Sequence, residues 1–260
     1  MKLKNAHRVD IAGFTLVELS IVTVVIGLLV GGTLAGMRLV ENSRTHKTIQ
    51  QMKAIESATL TFRDVYRGLP GDLRNPSTRL ADCLAMPCSR SGDGNRIIGT
   101  MNNPTLPANP TNTENYAFWS HLRKSELYDT NTYETMNFQF GHGQPNIPIS
   151  KELGFKVGDQ RQALFGVFGC TPFSKLNGTA LVLATIPNGS FSGLDISYGF
   201  RCSQMRKIDN ALDDDSPSTG RFQVLGCSTN FACGPGLTPG YTTENTATWT
   251  MGGYYALRGL

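Results

Sequence analysis

Phe14–Met37 reads FTLVELSIVTVVIGLLVGGTLAGM, 24 residues that carry one charge, Glu18. At 1.5 Å of rise per residue a helix of this length spans about 36 Å, enough to cross a hydrocarbon core of about 30 Å. Core helices of soluble proteins rarely stay apolar on every side for so long. A membrane-spanning helix is therefore expected. Upstream lies a polar segment, MKLKNAHRVDIAG, which ends on Gly13. In a secretory signal peptide the apolar region precedes a small-residue cut site; here the order is reversed. A cut after Gly13 would remove residues 1–13 and keep the apolar helix as an anchor. Gly13 offers a peptidase a backbone with no side chain in the way, and cleavage would create an α-amine at Phe14. Lys2, Lys4 and Arg8 precede the span while Arg38, Arg44 and Lys47 follow it, so the positive-inside rule leaves the orientation open.

Downstream, LVENSRTHKTIQQMKAIESATLTFRDVYRG continues without a proline. Residues 41–48 are polar and are expected to be exposed. From Met52 an apolar stripe returns at Met52, Ile55, Thr59, Phe62 and Tyr66, with Ala58 and Val65 beside it, the spacing of one helix face. Gly68 stands where a helix would stop, ahead of Pro70. One helix is thus predicted from Phe14 to Arg67, with residues 14–37 in lipid or a filament core and residues 38–67 continuing onto a globular head. Gly27, Gly31, Gly32 and Gly36 fit either a locally melted section or a close approach of helices.

The head, residues 68–260, is rich in turns: the whole chain holds 28 glycines and 13 prolines. Residues 71–112 read as a long connecting loop. Thr113–Leu127 reads as a helix with Thr113 as its cap and Tyr116, Phe118, Trp119 and Leu122 on its apolar side. Strands are expected at Ala163–Phe168, Thr179–Ile186 and Arg221–Leu225, and a second short helix at Ser203–Leu212, ahead of Asp213–Asp215. The fold class is α+β: a long N-terminal helix packed on an antiparallel sheet, with loops tied by disulfides. Cysteines stand at Cys83, Cys88, Cys170, Cys202, Cys227 and Cys233. An even count in a loop-rich chain fits disulfides and an oxidising compartment. The short spacings point to Cys83–Cys88 and Cys227–Cys233, which leaves Cys170–Cys202.

The net charge is +4, and the leader accounts for a net two of those charges through Lys2, Lys4, Arg8 and Asp10. A value so near neutral gives no electrostatic case for nucleic acid. His7, His46, His121 and His142 have no zinc spacing, and no nucleophile elbow, Walker loop or dinucleotide fingerprint occurs. An enzyme is not expected. His121 and His142 read as structural or exposed, and Trp119 and Trp249 as core or interface anchors. In Ser91-Gly-Asp93-Gly-Asn95 oxygen donors alternate around glycine, part of a calcium loop, with Asp93 and Asn95 as candidate ligands. Asp72 or Asp213–Asp215 would have to complete such a site. A plain Asx/Gly turn is the stronger expectation, and no other cofactor is expected.

The run G-FTLVE, Gly13 to Glu18, with its apolar continuation resembles the processing site of type IV prepilins and type II secretion pseudopilins. Gly13 matches the residue before the cleavage point, Phe14 the new N-terminus that the family N-methylates, and Glu18 the glutamate at position five of the mature chain. The resemblance implies a pilin-like fold and a prepilin peptidase/N-methyltransferase as processing partner. It also implies inner-membrane assembly machinery, and identical or related subunits in a helical filament. The chain would be a single-pass inner-membrane precursor, then a periplasmic or cell-surface filament. A carboxylate in lipid seeks a positive partner, and the amine at Phe14, one turn before Glu18, is the natural one. The family favours the amine of a neighbouring subunit. The turn after the long helix, the ENYAFWSHL helix and Asp213-Asp214-Asp215-Ser-Pro-Ser-Thr-Gly220 are similar to segments of prepilin-like proteins. Some pseudopilins bind calcium in the head. The function expected is a structural subunit of a type IV pilus-type filament. The alternatives are a pseudopilin of a type II secretion system and, in another class, a single-span membrane-anchored binding protein.

Overall fold

The computed structural model describes residues 13–99, 114–129, 139–159, 178–184, 200–216, 219–225, 249–250 and 252–257. The chain divides into two compact units, one ending at Ser43 and one running from Arg44 to Leu260.

In the first unit the only described element is the start of α1 (Leu16–Tyr66), a helix of 51 residues. It runs unbroken through Gly27, Gly31, Gly32 and Gly36. Its apolar side chains have no cover: Leu16, Leu28 and Leu39 are at least 70% exposed. It is long and apolar enough to cross a membrane. Its hydroxyls suit that setting. Ser20 Oγ donates to the Val17 carbonyl (2.8 Å), Thr23 Oγ to that of Ser20 (2.9 Å) and Thr33 Oγ to that of Leu29 (2.7 Å). Polar groups satisfied by their own helix need no water.

In the second unit α1 buries Thr45, Thr48, Ile49, Met52, Ile55, Ala58, Thr59 and Phe62. The stripe therefore begins earlier than its apolar residues announce. Thr45 and Thr48 fall in the stretch expected to be exposed, yet both are buried. Thr48 Oγ donates to the Arg44 carbonyl at 3.0 Å, so its hydroxyl is satisfied and its methyl can face the core. Val65, expected beside the stripe, points to solvent at 63% exposed. The helix ends at Tyr66, and Arg67 rather than Gly68 takes the left-handed φ, 55°, that stops it.

Beyond α1 come α2 (Pro76–Arg79), α3 (Glu114–Lys124), β1 (Gln139–Phe140), β2 (Gly143–Gln144), β3 (Asn146–Ile147), β4 (Ser150–Asp159), β5 (Thr179–Ala184), β6 (Phe200–Arg201), α4 (Cys202–Leu212), β7 (Phe222–Leu225), β8 (Trp249–Thr250) and β9 (Gly252–Ala256). The main sheet has the order β3-β4-β5-β9-β7, with every pair antiparallel. Register places Val157, Leu181, Tyr255 and Phe222 in one row across four strands. All four are at most 1% exposed and belong to the same core as Met52, Ile55 and Phe62 of α1. Fully burying side chains of this size stabilises the fold by about 1.5–3 kcal/mol each. Every residue of β5 is buried, as expected for a central strand.

A polar clamp fixes α1 to the sheet. Arg221, just before β7, pairs with Glu56 of α1 and lies 4.7 Å from the centre of the Tyr255 ring. The Tyr255 hydroxyl donates to Glu56 Oε2 at 2.8 Å. Burial first, and then the bond to Glu56, push the Tyr255 hydroxyl up to about 12.

The α+β arrangement and the helices near 114 and 203 follow expectation, as do the strands near 179 and 222. Ala163–Phe168, Thr113 and residues 185–186 lie outside the described residues. β4, the longest strand among the described residues, falls where no strand is expected from the sequence. Its Leu153, Phe155 and Val157 alternate inward, but Lys151, Glu152, Gly154, Lys156 and Gly158 depress strand propensity. Gly154 has a packing reason: a Cβ there would fall 1.9 Å from the Phe140 ring. Nor is the segment after α1 a plain loop, since Leu73, Leu80, Cys83, Cys88 and Ile98 are all buried in the core.

Candidate functional site

At the N-terminal end Gly13, Phe14 and Thr15 are not helical. Thr15 caps α1. Its Oγ accepts the Glu18 N–H at 3.2 Å, while Glu18 Oε2 accepts both the Thr15 N–H and the Thr15 hydroxyl at 2.9 Å. This is a reciprocal capping box, two orphan N–H groups of the helix start satisfied by two side chains. Phe14 consequently precedes the helix and does not share its first turn with Glu18. Thr15 was not among the residues expected to matter, although its T-x-x-E spacing to Glu18 is the sequence sign of such a box. Phe14 is 91% exposed, and a Cβ built on Gly13 would meet nothing within 4 Å.

In the head, Asp93 is brought together with Asp72 and Glu114, their oxygens within 4.8 Å of one another. Asp72 follows the turn after α1, and Glu114 opens α3. Gly71 lets the two segments meet. Its φ is +86°, and a Cβ there would lie 2.3 Å from the Glu114 carbonyl oxygen. Asp72 accepts the N–H groups of Gly94 (2.6 Å) and Arg96 (2.7 Å). Glu114 accepts those of Asp93 (3.2 Å) and Gly99 (2.8 Å). Burial pushes the Asp72 carboxyl up, with the Asp93 charge adding to it and the two N–H bonds opposing. Burial likewise raises Glu114, with the charges of Asp72 and Asp93 adding. Asn95 faces the cluster with its donor and not its oxygen: its Oδ1 accepts the Ile97 N–H at 2.6 Å and its Nδ2 donates to Asp93 Oδ2 at 2.7 Å.

Three carboxylates suit a hard divalent cation in donor type, but calcium takes six to eight oxygens. Both oxygens of Asp72 and of Glu114 already hold backbone N–H groups, so the arrangement acts first as a clamp that folds residues 93–99 onto the head. Asp93→Asn removes a charge facing two others. It should raise the melting temperature in chelator by about 2–4 °C, the shift that goes with about 1 kcal/mol in a domain of this size. A fall instead would mean that the bonds Asp93 accepts from the Asn95 N–H and Nδ2 outweigh the repulsion. Asp209, Asp213 and Asp214 form a second, separate carboxylate group. There Asp213 accepts the Arg221 and Phe222 N–H groups, and Asp214 accepts the Thr219 hydroxyl at 2.5 Å.

His121 is buried beneath the same region. Its Nδ1 accepts the Gly71 N–H at 2.9 Å, and Nε2 lies 2.8 Å from the Cys88 carbonyl, to which it donates in the tautomer this pairing requires. Burial lowers the imidazole to about 4, with the Cys88 bond opposing. Cys83 and Cys88 are joined by a disulfide, Cα to Cα 5.2 Å. Their sulfurs and the His121 nitrogens lie close together, but with the thiols oxidised and both nitrogens engaged the trio offers no metal ligands. Cys202 is also disulfide-bonded, and among the described residues no cysteine is free. Cys170, Cys227 and Cys233 lie outside the described residues, as do His7 and the side chain of Trp249. His46 and His142 are exposed, and Trp119 is buried in the core.

No family model, no curated protein and no solved structure matches this chain.

Proposed function

We propose that this chain is a structural subunit of a type IV pilus-type filament, made as a membrane-anchored precursor and cut after Gly13. The observation that carries the proposal is the uncovered apolar start of α1. Among the described residues its large apolar side chains from Leu16 to Val40 stand exposed, and one acid sits near their outer end. Lipid covers such a helix in the precursor, and like helices cover it in a polymer. A head with its own core and the bonded Cys83, Cys88 and Cys202 support a pilin-like domain, with disulfide-tied loops, in an oxidising compartment. Repeated head-to-tail contacts that do not close give a fibre. A prepilin peptidase/N-methyltransferase and the inner-membrane assembly machinery are the partners this requires.

A pseudopilin of a type II secretion system shares the same precursor logic, and the Asp72–Asp93–Glu114 cluster in the head is the observation that favours it. Surface filaments in micrographs separate the two. A single-span anchored binding protein is a different class and stays uncut. N-terminal sequencing of protein taken from its own membrane should find Phe14 first, N-methylated; Met1 would exclude both filament readings.

A further inference from the structure

Three buried side chains with soft or borderline donor atoms meet where the segment after α1 packs on α3. Cys83 and Cys88 are at most 1% exposed, and His121 of α3 is fully buried. One donor atom from each, two sulfurs and a ring nitrogen, all lie within 4.8 Å of one another. A disulfide by itself needs no ring nitrogen beside it. The ring is fixed from outside the trio. It stacks on Phe62, centroids 6.1 Å apart and planes 9° from parallel, and its nitrogens face the Gly71 N–H and the Cys88 carbonyl. Ligating histidines are held in this way, one nitrogen on a backbone group while the other faces the metal. Burial keeps the ring uncharged at neutral pH, the form that binds metal.

We propose that the thiol form of this chain, before the Cys83–Cys88 disulfide closes, holds a zinc ion on Cys83, Cys88 and His121. Two thiolates, an imidazole and a water make the tetrahedral sulfur and nitrogen set that zinc prefers. The two thiolate charges cancel those of the ion, so the filled site enters the core with no net charge. One ring nitrogen leaves its backbone partner for the ion, and the other keeps its own. The ion ties Cys83 and Cys88 to α3 before the disulfide exists. Ion and disulfide exclude each other. When a disulfide-bearing oxidant takes one electron from each of the two thiolates, the Cys83–Cys88 bond forms and Zn²⁺ leaves. The oxidant's own disulfide breaks, takes up two protons and becomes a dithiol. Neither the filament reading nor the cut after Gly13 is needed for this site.

The test uses the full-length chain in detergent micelles, made in a reducing cell-free extract so that all six cysteines enter as thiols. Zn²⁺ or a chelator is added, the thiols are alkylated, and each cysteine is followed by peptide mass. Zn²⁺ should slow alkylation of Cys83 and Cys88 at least about ten-fold, the scale on which even outer partners change metal affinity. Cys170, Cys202, Cys227 and Cys233 should react as before, and Ca²⁺ should protect none. His121→Ala should lose most of the protection, and His121→Cys, which puts a donor back, should regain it. Zn²⁺ that protects all six alike, or none, would overturn the proposal. So would full protection in His121→Ala, since two thiols without the ring would then account for it. Loss in both His121 variants would overturn it as well, because packing and not the donor atom would be responsible.

Discussion

On the proposed filament reading, cells that carry the Glu18→Ala subunit should insert it into the membrane but yield at least roughly tenfold fewer filaments. Insertion survives because the apolar run from Leu19 to Met37 is untouched. Assembly is expected to fail because the carboxylate is the one charge between Phe14 and Met37, a stretch whose apolar side chains offer only non-directional packing. A charge in lipid is costly until a positive group meets it, and the α-amine exposed at Phe14 of a neighbouring subunit is the partner proposed. Meeting it fixes the axial register of one helix against the next. Glu18 Oε2 is held by Thr15, so the carboxylate already faces the end of the helix at which the proposed cut would leave an amine. Alanine removes both the charge and the cap. Glu18→Gln separates them, since an amide oxygen can still accept the Thr15 N–H while the charge is gone. Glu18→Gln subunits that polymerise at wild-type yield, seen by electron microscopy of sheared filaments, would end the charge-pairing account.

Acid should weaken the head through His121. The imidazole titrates near 4 when folded and near its ordinary 6.5 when unfolded. Between those values the unfolded chain binds the extra proton, so stability is complete above about pH 6.5 and drains away as the pH falls toward 4. The full span is worth about 3 kcal/mol. Asp72 and Glu114 work against it. Their carboxyls are raised in the fold, so the folded chain takes up their protons first, and protonation there adds stability as the pH falls through their raised values. The His121 loss should therefore dominate above the carboxylate range and flatten below it. Urea unfolding of the detergent-solubilised chain at pH 7, 6 and 5 reads this directly. His121→Leu should be less stable at pH 7 by about 1–3 kcal/mol, because the Gly71 N–H loses its acceptor, and its stability should vary little between pH 7 and 5. A wild-type stability that does not fall between pH 7 and 5 would show that the buried ring is not the titrating group.

How far these sites could be read from residues alone differs from one to the next. Gly13, Phe14 and Glu18 announce themselves because a polar leader, a glycine and a lone acid stand against an apolar background. Thr15 is signalled only by its T-x-x-E spacing to Glu18, a pattern easily lost inside an apolar run; the fold shows its hydroxyl facing the Glu18 N–H. Asp93 is visible inside a glycine-rich turn. Its companions Asp72 and Glu114 stand 21 residues away on either side, and no local pattern links them. His121 reads as an ordinary helical histidine; only burial between Gly71 and Cys88 makes it a titrating group of consequence.

The long helix, the uncovered apolar length at its start, the α+β class and the Cys83–Cys88 pair were all legible before any fold was seen. Each depends on neighbours along the chain, on helical periodicity or on unbroken hydrophobicity, and such terms act over a few turns. What depends on partners far apart emerged only on folding: that Thr45 and Thr48 face inward, that the charged, glycine-bearing segment Ser150–Asp159 is the longest strand, and that Glu56, Arg221 and Tyr255 close into one clamp. A strand is stable only where another strand and a covering helix meet it. A carboxylate changes its proton affinity only when burial and other charges surround it, and those surroundings exist only once the chain has folded.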